Sequence, residues 1–508
     1  MKSNLKIILS LFFAVLIAGS CSKEWLDVNK DPNNPETAIP ELVFPAGALS
    51  VGAVGGGYYN LLGGFWSQYW AQSNAANQYK DIDQYDIIST LFNSEWREIY
   101  ANGLSDLQFV IDESRASENW SYYLMGTVMQ AYGWQFMVDM HDNIPYFDAF
   151  QGDASTPNFD PEYDNGADIY ADLIKRIDTA LSKPLNELSK AEKKGDMVFN
   201  GDTEKWIQFA NTLKLKIYMR MMYVNPTIAQ AGIEALFVAP NFLNEDAALK
   251  FFVDEENQDN PLFASNNRKL NVSTNLRVSA TLFRYLEANG DPRLDELISE
   301  GTLPMPQGGF NIPTPGDLDV TDVAIFKLQA TDPVYFISYV ESLLLQAEAV
   351  ARGWGTGDDK ALYDDAVAAS FARFGLSDTA AFMIDSVYTY PADSTFEGNI
   401  IGTNHYLGKQ EAIMMAKWAA FAGSQCMEMF FEINRTHYPR VSTIPSWDVP
   451  GKTYNASYVG GRLTYSLEGV TGGLFPKSLV YPQYEVSLNS NFPGQRSVTD
   501  KVWWDVKP

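Results

Sequence analysis

An apolar repeat of three and four residues runs through much of this 508-residue chain, and it restricts the possible folds more than any other feature. Trp206, Phe209, Ala210, Leu213, Ile217 and Met221 recur at that spacing, while Lys205, Lys214 and Lys216 fall on other faces; this is the pattern of an amphipathic helix packed on a core. Similar segments span about 93–113, 120–139, 167–182, 279–288, 338–352, 361–374 and 410–434, each bounded by Gly, Pro, Asn or Asp. Strand-like pieces such as Ala324–Leu328 and Arg462–Leu467 are short, so no large sheet is expected to organise the core. The fold class is mainly α. Pro-, Gly- and Asn-rich stretches at about 253–278, 299–335, 384–408 and 440–508 exceed what helix connections need, and loops of that size usually carry binding function. No shift in composition divides the chain, so residues 46–508 read as a single domain.

The first residues carry a different signal. Lys2 and Lys6 flank the start of Ile7–Ile17, an apolar run of eleven residues interrupted only by Ser10. A transmembrane helix needs about twenty. This run has the length of a signal-peptide core, and the small residues Ala18-Gly19-Ser20 lead directly into Cys21. That ending resembles a bacterial lipobox, which implies that residues 1–20 are removed and that Cys21 is diacylated as the mature N-terminus. The competing reading is an ordinary secretory signal cut near Ala18. Two acyl chains suffice for stable anchoring without a membrane span. Residues 21–45 contain Pro32, Pro35, Pro40 and Pro45 and read as an extended tether. Cys426, the other cysteine, sits in a Met- and Phe-rich run and reads as a buried, inert thiol.

Charge and residue supply exclude several chemistries. With 37 Lys and Arg against 63 Asp and Glu, the formal charge is −26, a field that repels a phosphate backbone, so no nucleic-acid partner is expected. Three His and two Cys leave no cluster for a transition metal; His141 and His437 read as hydrogen-bonded structural residues. Asp27–Asp31 begins like a calcium loop, but Pro32 and Ala38 stand where the turn glycine and closing carboxylate belong; Asp160–Gly166 has its glycine one place late. No metal ligands are assigned, and a structural calcium ion on a different set of oxygens stays open. Gly55-Gly56-Gly57 and Gly460-Gly461 lack a following Lys-Ser/Thr and read as flexible turns. No catalytic residue and no cofactor is assigned, and the chain is not expected to be an enzyme. Glycoside hydrolysis needs only two carboxylates, so a surface glycosidase remains an alternative. Glu341 and Glu348, seven residues apart on one helical face, read as partners of arginine or backbone. Trp66, Tyr69, Trp70, Trp206 and Trp418 sit at helical spacing and read as core.

Several segments in order resemble the SusD/RagB family of nutrient-binding outer-membrane lipoproteins of Bacteroidota, in its SusD-like branch. They are Cys21–Asp27; Asp139–Tyr146, with Asn143 where the family usually has Gly; Gly201–Trp206 leading to Asn211–Leu215; Asp291–Leu294; Ile337–Ser342 through Ala347–Ala349 and Arg352–Trp354; Lys417-Trp418; Arg435–Pro439; and Phe475-Pro476 with Tyr481-Pro482. The resemblance covers nearly the whole chain. It implies tetratricopeptide-like helical pairs supporting long irregular loops. It also implies an outer-membrane, lipid-anchored protein facing the cell exterior, which binds an oligosaccharide or peptide and passes it uncleaved to a SusC-like TonB-dependent transporter.

A glycan site needs aromatic faces for the C–H groups of the sugar and amide, carboxylate or guanidinium groups for its hydroxyls. Three loop segments supply that mixture: Asn77–Asp86 with Tyr79, Asp81, Asp83 and Tyr85; Asn257–Asn275 with Phe263, Asn266 and Arg268; and Pro445–Tyr458 with Trp447, Tyr454 and Tyr458. Tyr79, Asp81, Tyr85, Phe263, Asn266, Arg268, Trp447 and Tyr454 are therefore the expected ligand contacts. A glycan is the first expectation, a peptide the alternative, and an assembly lipoprotein without a small ligand a third class. If Cys21 carries the anchor, Cys21→Ser will release the protein from membranes, and mass spectrometry of the wild-type N-terminus will find an acylated Cys21. An unacylated terminus at another residue would contradict the lipobox reading.

Overall fold

Side-chain caps mark where the main helices begin. Asn119, Asn165, Asp202, Ser279, Ser338 and Asp358 each accept a hydrogen bond from a backbone N–H in the first turn of the helix that follows, satisfying a donor that the helix itself cannot. The structure is a computed structural model describing residues 38–152, 156–270, 272–377, 379, 387–392, 395–397 and 408–507. Cys21 and the expected signal peptide lie outside the described residues.

Counting helices of nine residues or more, the order is α1 (Pro40–Gly56), α2 (Tyr58–Trp66), α3 (Ser105–Ala116), α4 (Trp120–His141), α5 (Gly166–Leu181), α6 (Thr203–Arg220), α7 (Pro226–Leu236), α8 (Ala280–Ala288), α9 (Tyr339–Ala351), α10 (Asp359–Ala372), α11 (Lys409–Phe421) and α12 (Cys426–Thr436). Neighbours in sequence pack as pairs: α3 on α4, α4 on α5, α6 on α7, α9 on α10, and α11 on α12. The strands are short: β1 (Trp70–Gln72), β2 (Ala247–Leu249), β3 (Leu276–Val278), β4 (Ile298–Glu300), β5 (Ile325–Phe326), β6 (Val334–Ile337), β7 (Trp447–Asp448) and β8 (Thr453–Tyr454). They form antiparallel ribbons in the orders β1-β3-β5-β4, β2-β6 and β7-β8. The chain is thus mainly α, with helical pairs and few short strands. Among the described residues no helix is long and apolar enough to cross a membrane.

Three local expectations are corrected. The tether read as extended to Pro45 gives way to helix at Pro40: Pro40 sits in the first turn of α1, where a missing N–H costs nothing, and Pro45 is accommodated within the helix. The segment 410–434 is two helices, because the chain turns at Ala422–Gln425 with Gly423 at φ +78°, a conformation that glycine adopts without strain. Lys216, expected on a face away from the apolar one, is nonetheless 4% exposed.

The reason for Lys216 is a buried ion network. Lys216 lies 2.8 Å from Glu428 and 3.2 Å from Glu341. One turn on, Arg220 meets Asp139 at 3.1 Å and Glu428 and Glu432 at 2.6 Å each. Arg435 joins Glu348 at 2.7 Å and Glu432 at 2.6 Å, and Lys417 stands 3.3 Å from Glu432. These residues come from α4, α6, α9, α11 and α12. The pairing of Glu348 with Arg435 matches the structural role expected for that carboxylate. Burial pushes Glu432 up, but Arg435, Lys417 and Arg220 outweigh it and hold its carboxyl well below the usual range. Asp139 shows the opposite balance: burial raises it to about 6 despite Arg220.

The remaining core expectations hold. Tyr69, Trp70, Trp206 and Trp418 are fully buried, and Trp66 nearly so. Cys426 is buried, and burial pushes its thiol far up, as an inert residue requires. Removing one partner from a buried charge pair strands the other at a cost of about 3–5 kcal/mol. Arg220→Met, which leaves three carboxylates short of a cation, should lower Tm by several degrees; an unchanged Tm in thermal unfolding would contradict the role given to the network.

Candidate functional site

Strand pairing brings two of the three candidate segments together. Trp70 pairs with Val278 and Gln72 with Leu276, so the chain leaving β1 and the chain entering β3 run side by side. Between them lies a groove of about 610 Å³, walled by Asn74, Asn77, Gln78 and Lys80 on one side and by Lys269, Leu270, Val272 and Asn275 on the other. Asn77, Gln78 and Lys269 are exposed, and Lys80 is half-buried. Neither lysine has a carboxylate in ion-pair contact among the described residues. Lys80 instead places its ammonium 5.0 Å from the centre of the Phe310 ring. The groove wall itself contains amides, ammonium groups and apolar side chains but no carboxylate.

Buried polar groups hold these walls. The Gln72 side chain accepts from Tyr79 N at 2.7 Å and donates to Ser73 O at 3.2 Å, and Ser73 N donates to Asn275 O at 2.9 Å. Asp83, fully buried, accepts from Gln72 N at 2.9 Å, Gln307 Nε2 at 2.7 Å and Gly308 N at 3.1 Å. Asn74 Nδ2 donates to Leu318 O at 2.9 Å and Ile312 O at 3.2 Å, tying the groove to the 303–323 loop. Asp83 has no cation in contact among the described residues, and burial pushes its carboxyl up to about 7 against the lowering effect of its three donors.

Four of the eight expected contacts, Tyr79, Tyr85, Asn266 and Trp447, are buried. Tyr79 and Tyr85 are each 2% exposed; Tyr79 packs edge-on to Phe65 and Tyr85 lies against Tyr465 and Phe475, so neither face is open for stacking. Trp447 is buried in a small separate core with Ala71, Met305, Leu318 and Val323. Asn266 is buried, its amide donating to Ser273 O at 3.0 Å. Arg268 is committed to Asp254 and Asp259 and lies over the half-buried Phe263 ring. Tyr454 is half-buried between Trp447 and Arg284. Asp81 is exposed, bonded to Gln84 beside the groove. Aromatic residues drew attention to these segments, but folded rings sought the core, and the groove is lined by their polar neighbours. The visible signal was the amide set Asn74, Asn77, Gln78 and Asn275. His141 is structural as expected, but packing rather than the expected hydrogen bonding holds it: it stacks on Tyr481 and meets Trp96 edge-on, neither buried ring nitrogen has a hydrogen-bond partner of ordinary geometry among the described residues, and burial, with Arg496 adding, drives its imidazole down to about 3.

The model of a family described as starch-binding, associating with outer membrane, matches residues 59–465. The chain belongs to this SusD-like family. It is similar to the crystal structure of a SusD homologue from Bacteroides uniformis, at 21% identity over 93% of this chain and 100% of that one with a TM-score of 0.69. It is also similar to a chitin-binding protein at 24% identity, 91% and 100% coverage and TM-score 0.68. A chitin-binding SusD homologue from Flavobacterium johnsoniae shows 19% identity, 92% and 99% coverage and TM-score 0.69. These likenesses establish the shared fold. No curated protein matches the chain.

Asp83 yields a pH test of the groove's foundation. Its folded-state value lies above the unfolded one, so the native state binds the extra proton between about pH 4 and 7, and stability falls as pH rises through that window, by about 4 kcal/mol at most. Asp83→Asn removes this titration. The Tm of the wild type relative to the variant should therefore fall between pH 5 and 8; a difference independent of pH would contradict the account.

Proposed function

We propose that this protein is a cell-surface lipoprotein that binds an oligosaccharide in the groove between 74–80 and 269–275, and passes it unaltered to a SusC-like TonB-dependent transporter in the outer membrane. The groove is the observation that carries the reading. Amide groups from Asn77 and Gln78 can both donate to and accept from sugar hydroxyls, and the ammonium groups of Lys80 and Lys269, neither in ion-pair contact with a carboxylate among the described residues, add further donors. Val272 and Leu270 offer apolar contact for the C–H faces of a ring. Such a surface grips a chain of hydroxyls without a nucleophile beside a base, which suits capture and release. Membership of the SusD-like family supports the carbohydrate class and the outer-membrane setting, and the chitin-binding relatives make chito-oligosaccharides a natural first probe. The N-terminal lipobox supports attachment through Cys21 rather than through a span. The reading calls for no resident cofactor.

Titration calorimetry of the protein from Ser22 onward with chitohexaose and maltohexaose, followed by product analysis, tests this. At least one should bind and be recovered intact. Lys269→Ala and Asn77→Ala, at exposed positions, should leave Tm unchanged and weaken binding, Lys269→Ala roughly tenfold or more, since a hydrogen bond to a charged group contributes about 1.5–3 kcal/mol, and Asn77→Ala by roughly two- to tenfold, since a neutral one contributes about 0.5–1.5 kcal/mol. Shortened products would favour the glycosidase reading, and binding of unstructured peptides but of no sugar would favour the peptide-binding one.

A further inference from the structure

A second recess, of about 420 Å³, opens beside α8, apart from the groove. One wall is the loop 458–462, which lies directly on the helix. A Cβ at Gly460 would stand 2.3 Å from Tyr285 N, and one at Gly461, whose φ is +75°, would stand 2.5 Å from Tyr285 Cδ2; only glycine allows this approach. Gly461 N donates to Thr281 O at 2.9 Å, and the Tyr458 hydroxyl donates to Arg462 O at 2.6 Å. The Gly460-Gly461 pair, expected to be a flexible turn, is a fastened seam.

The seam gathers three guanidinium groups around the recess, those of Arg284, Arg440 and Arg462. Two are held in place. Arg284 meets Glu287 at 2.6 Å and lies 5.1 Å from the centre of the Tyr454 ring. Arg440 meets Glu411 at 2.9 Å and lies 5.3 Å from the Tyr438 ring. Arg462 is exposed and has no carboxylate partner among the described residues. Each guanidinium carries five N–H donors in a planar fork, so pairing with one glutamate orients Arg284 and Arg440 while leaving donors over. Among the described residues, three arginines against two glutamates give the recess local positive character on a chain whose formal charge is −26. Ala288, Val387, Met415 and Val459 supply apolar lining beside them.

We infer that this recess is a second saccharide site that takes the anionic group of an acidic sugar, a uronate carboxylate or a sulfate ester. Arg462 makes the leading contact, with Arg284 and Arg440 as pre-oriented neighbours. Planar forks match such oxyanions, and charge-assisted hydrogen bonds are roughly twice as strong as neutral ones. The apolar lining accommodates the ring that bears the charge. The saccharide class rests on the glycan-binding reading above; the site does not share residues with the groove.

Calorimetry on detergent-solubilised full-length protein decides the matter, using oligogalacturonate and a sulfated galactan oligosaccharide, each beside its methyl-esterified or desulfated counterpart. At least one acidic form should bind tenfold or more tighter than its neutral counterpart, and the arm that does so names the anion. Arg462→Gln should abolish that preference with Tm unchanged, Arg284→Gln should reduce it, and Lys269→Ala in the groove should leave it intact. Equal binding of acidic and neutral forms, a preference that survives Arg462→Gln, one lost instead in Lys269→Ala, or equally tight binding of hexaglutamate would each overturn the inference. Failure of the groove reading is seen separately, as neutral hexasaccharide binding that is absent or indifferent to Lys269→Ala.

Discussion

The architecture depends on charges placed where water cannot reach them. Arg220, at the end of α6, is shared by Asp139, Glu428 and Glu432, and Arg435 by Glu348 and Glu432. Buried ion pairs contribute little net stability over apolar packing. Their effect lies in selectivity: an apolar helix face can slide by a turn and still be buried, whereas a slipped Arg220 would strand its own charge and that of Asp139, and would take one cation from Glu428 and Glu432, which keep Lys216, Lys417 and Arg435. Helices that are far apart in sequence, from α4 to α12, are thereby locked in one register, and that register carries the loops to their places.

Positioning of the groove repeats the logic at smaller scale. Asp83 is buried without a cation among the described residues, yet three donors from Gln72, Gln307 and Gly308 converge on it. It joins the segment after β1 to the loop that precedes β5, while Gln72 joins the same segment to the chain entering β3. The walls of the groove are consequently held from behind by buried groups. Under the proposed function, walls held in this way would lose little freedom on capture, which keeps the ordering cost of association low.

The helices were legible because their apolar period and polar caps are local properties, and the family motifs fell along that scaffold. Helix α1 was missed because its apolar residues are not confined to one face and because Pro40 and Pro45 read as breakers, although a first-turn proline is well tolerated. The site was legible only to the level of segments. Two of the three loops chosen for their mixed aromatic and polar residues do form the groove, yet Tyr79, Tyr85 and Trp447 turned inward. Which way a loop side chain points is decided by contacts from distant parts of the chain: Tyr465 and Phe475 for Tyr85, Leu318 and Met305 for Trp447. Arg268 looked like a ligand contact because its partners, Asp254 and Asp259, lie 14 and 9 residues earlier across a turn that the sequence does not show.

The central claim is that a rigid helical body presents the 74–80 and 269–275 walls as its ligand surface. Amide hydrogen exchange, followed by mass spectrometry with and without a saturating hexasaccharide that calorimetry has shown to bind, tests it most directly. Protection should rise in peptides covering 74–80 and 269–275, while α4, α6, α9 and α12 exchange slowly and at the same rate in both states. Protection appearing elsewhere with these two segments unchanged, or a general slowing across the helices, would contradict the account.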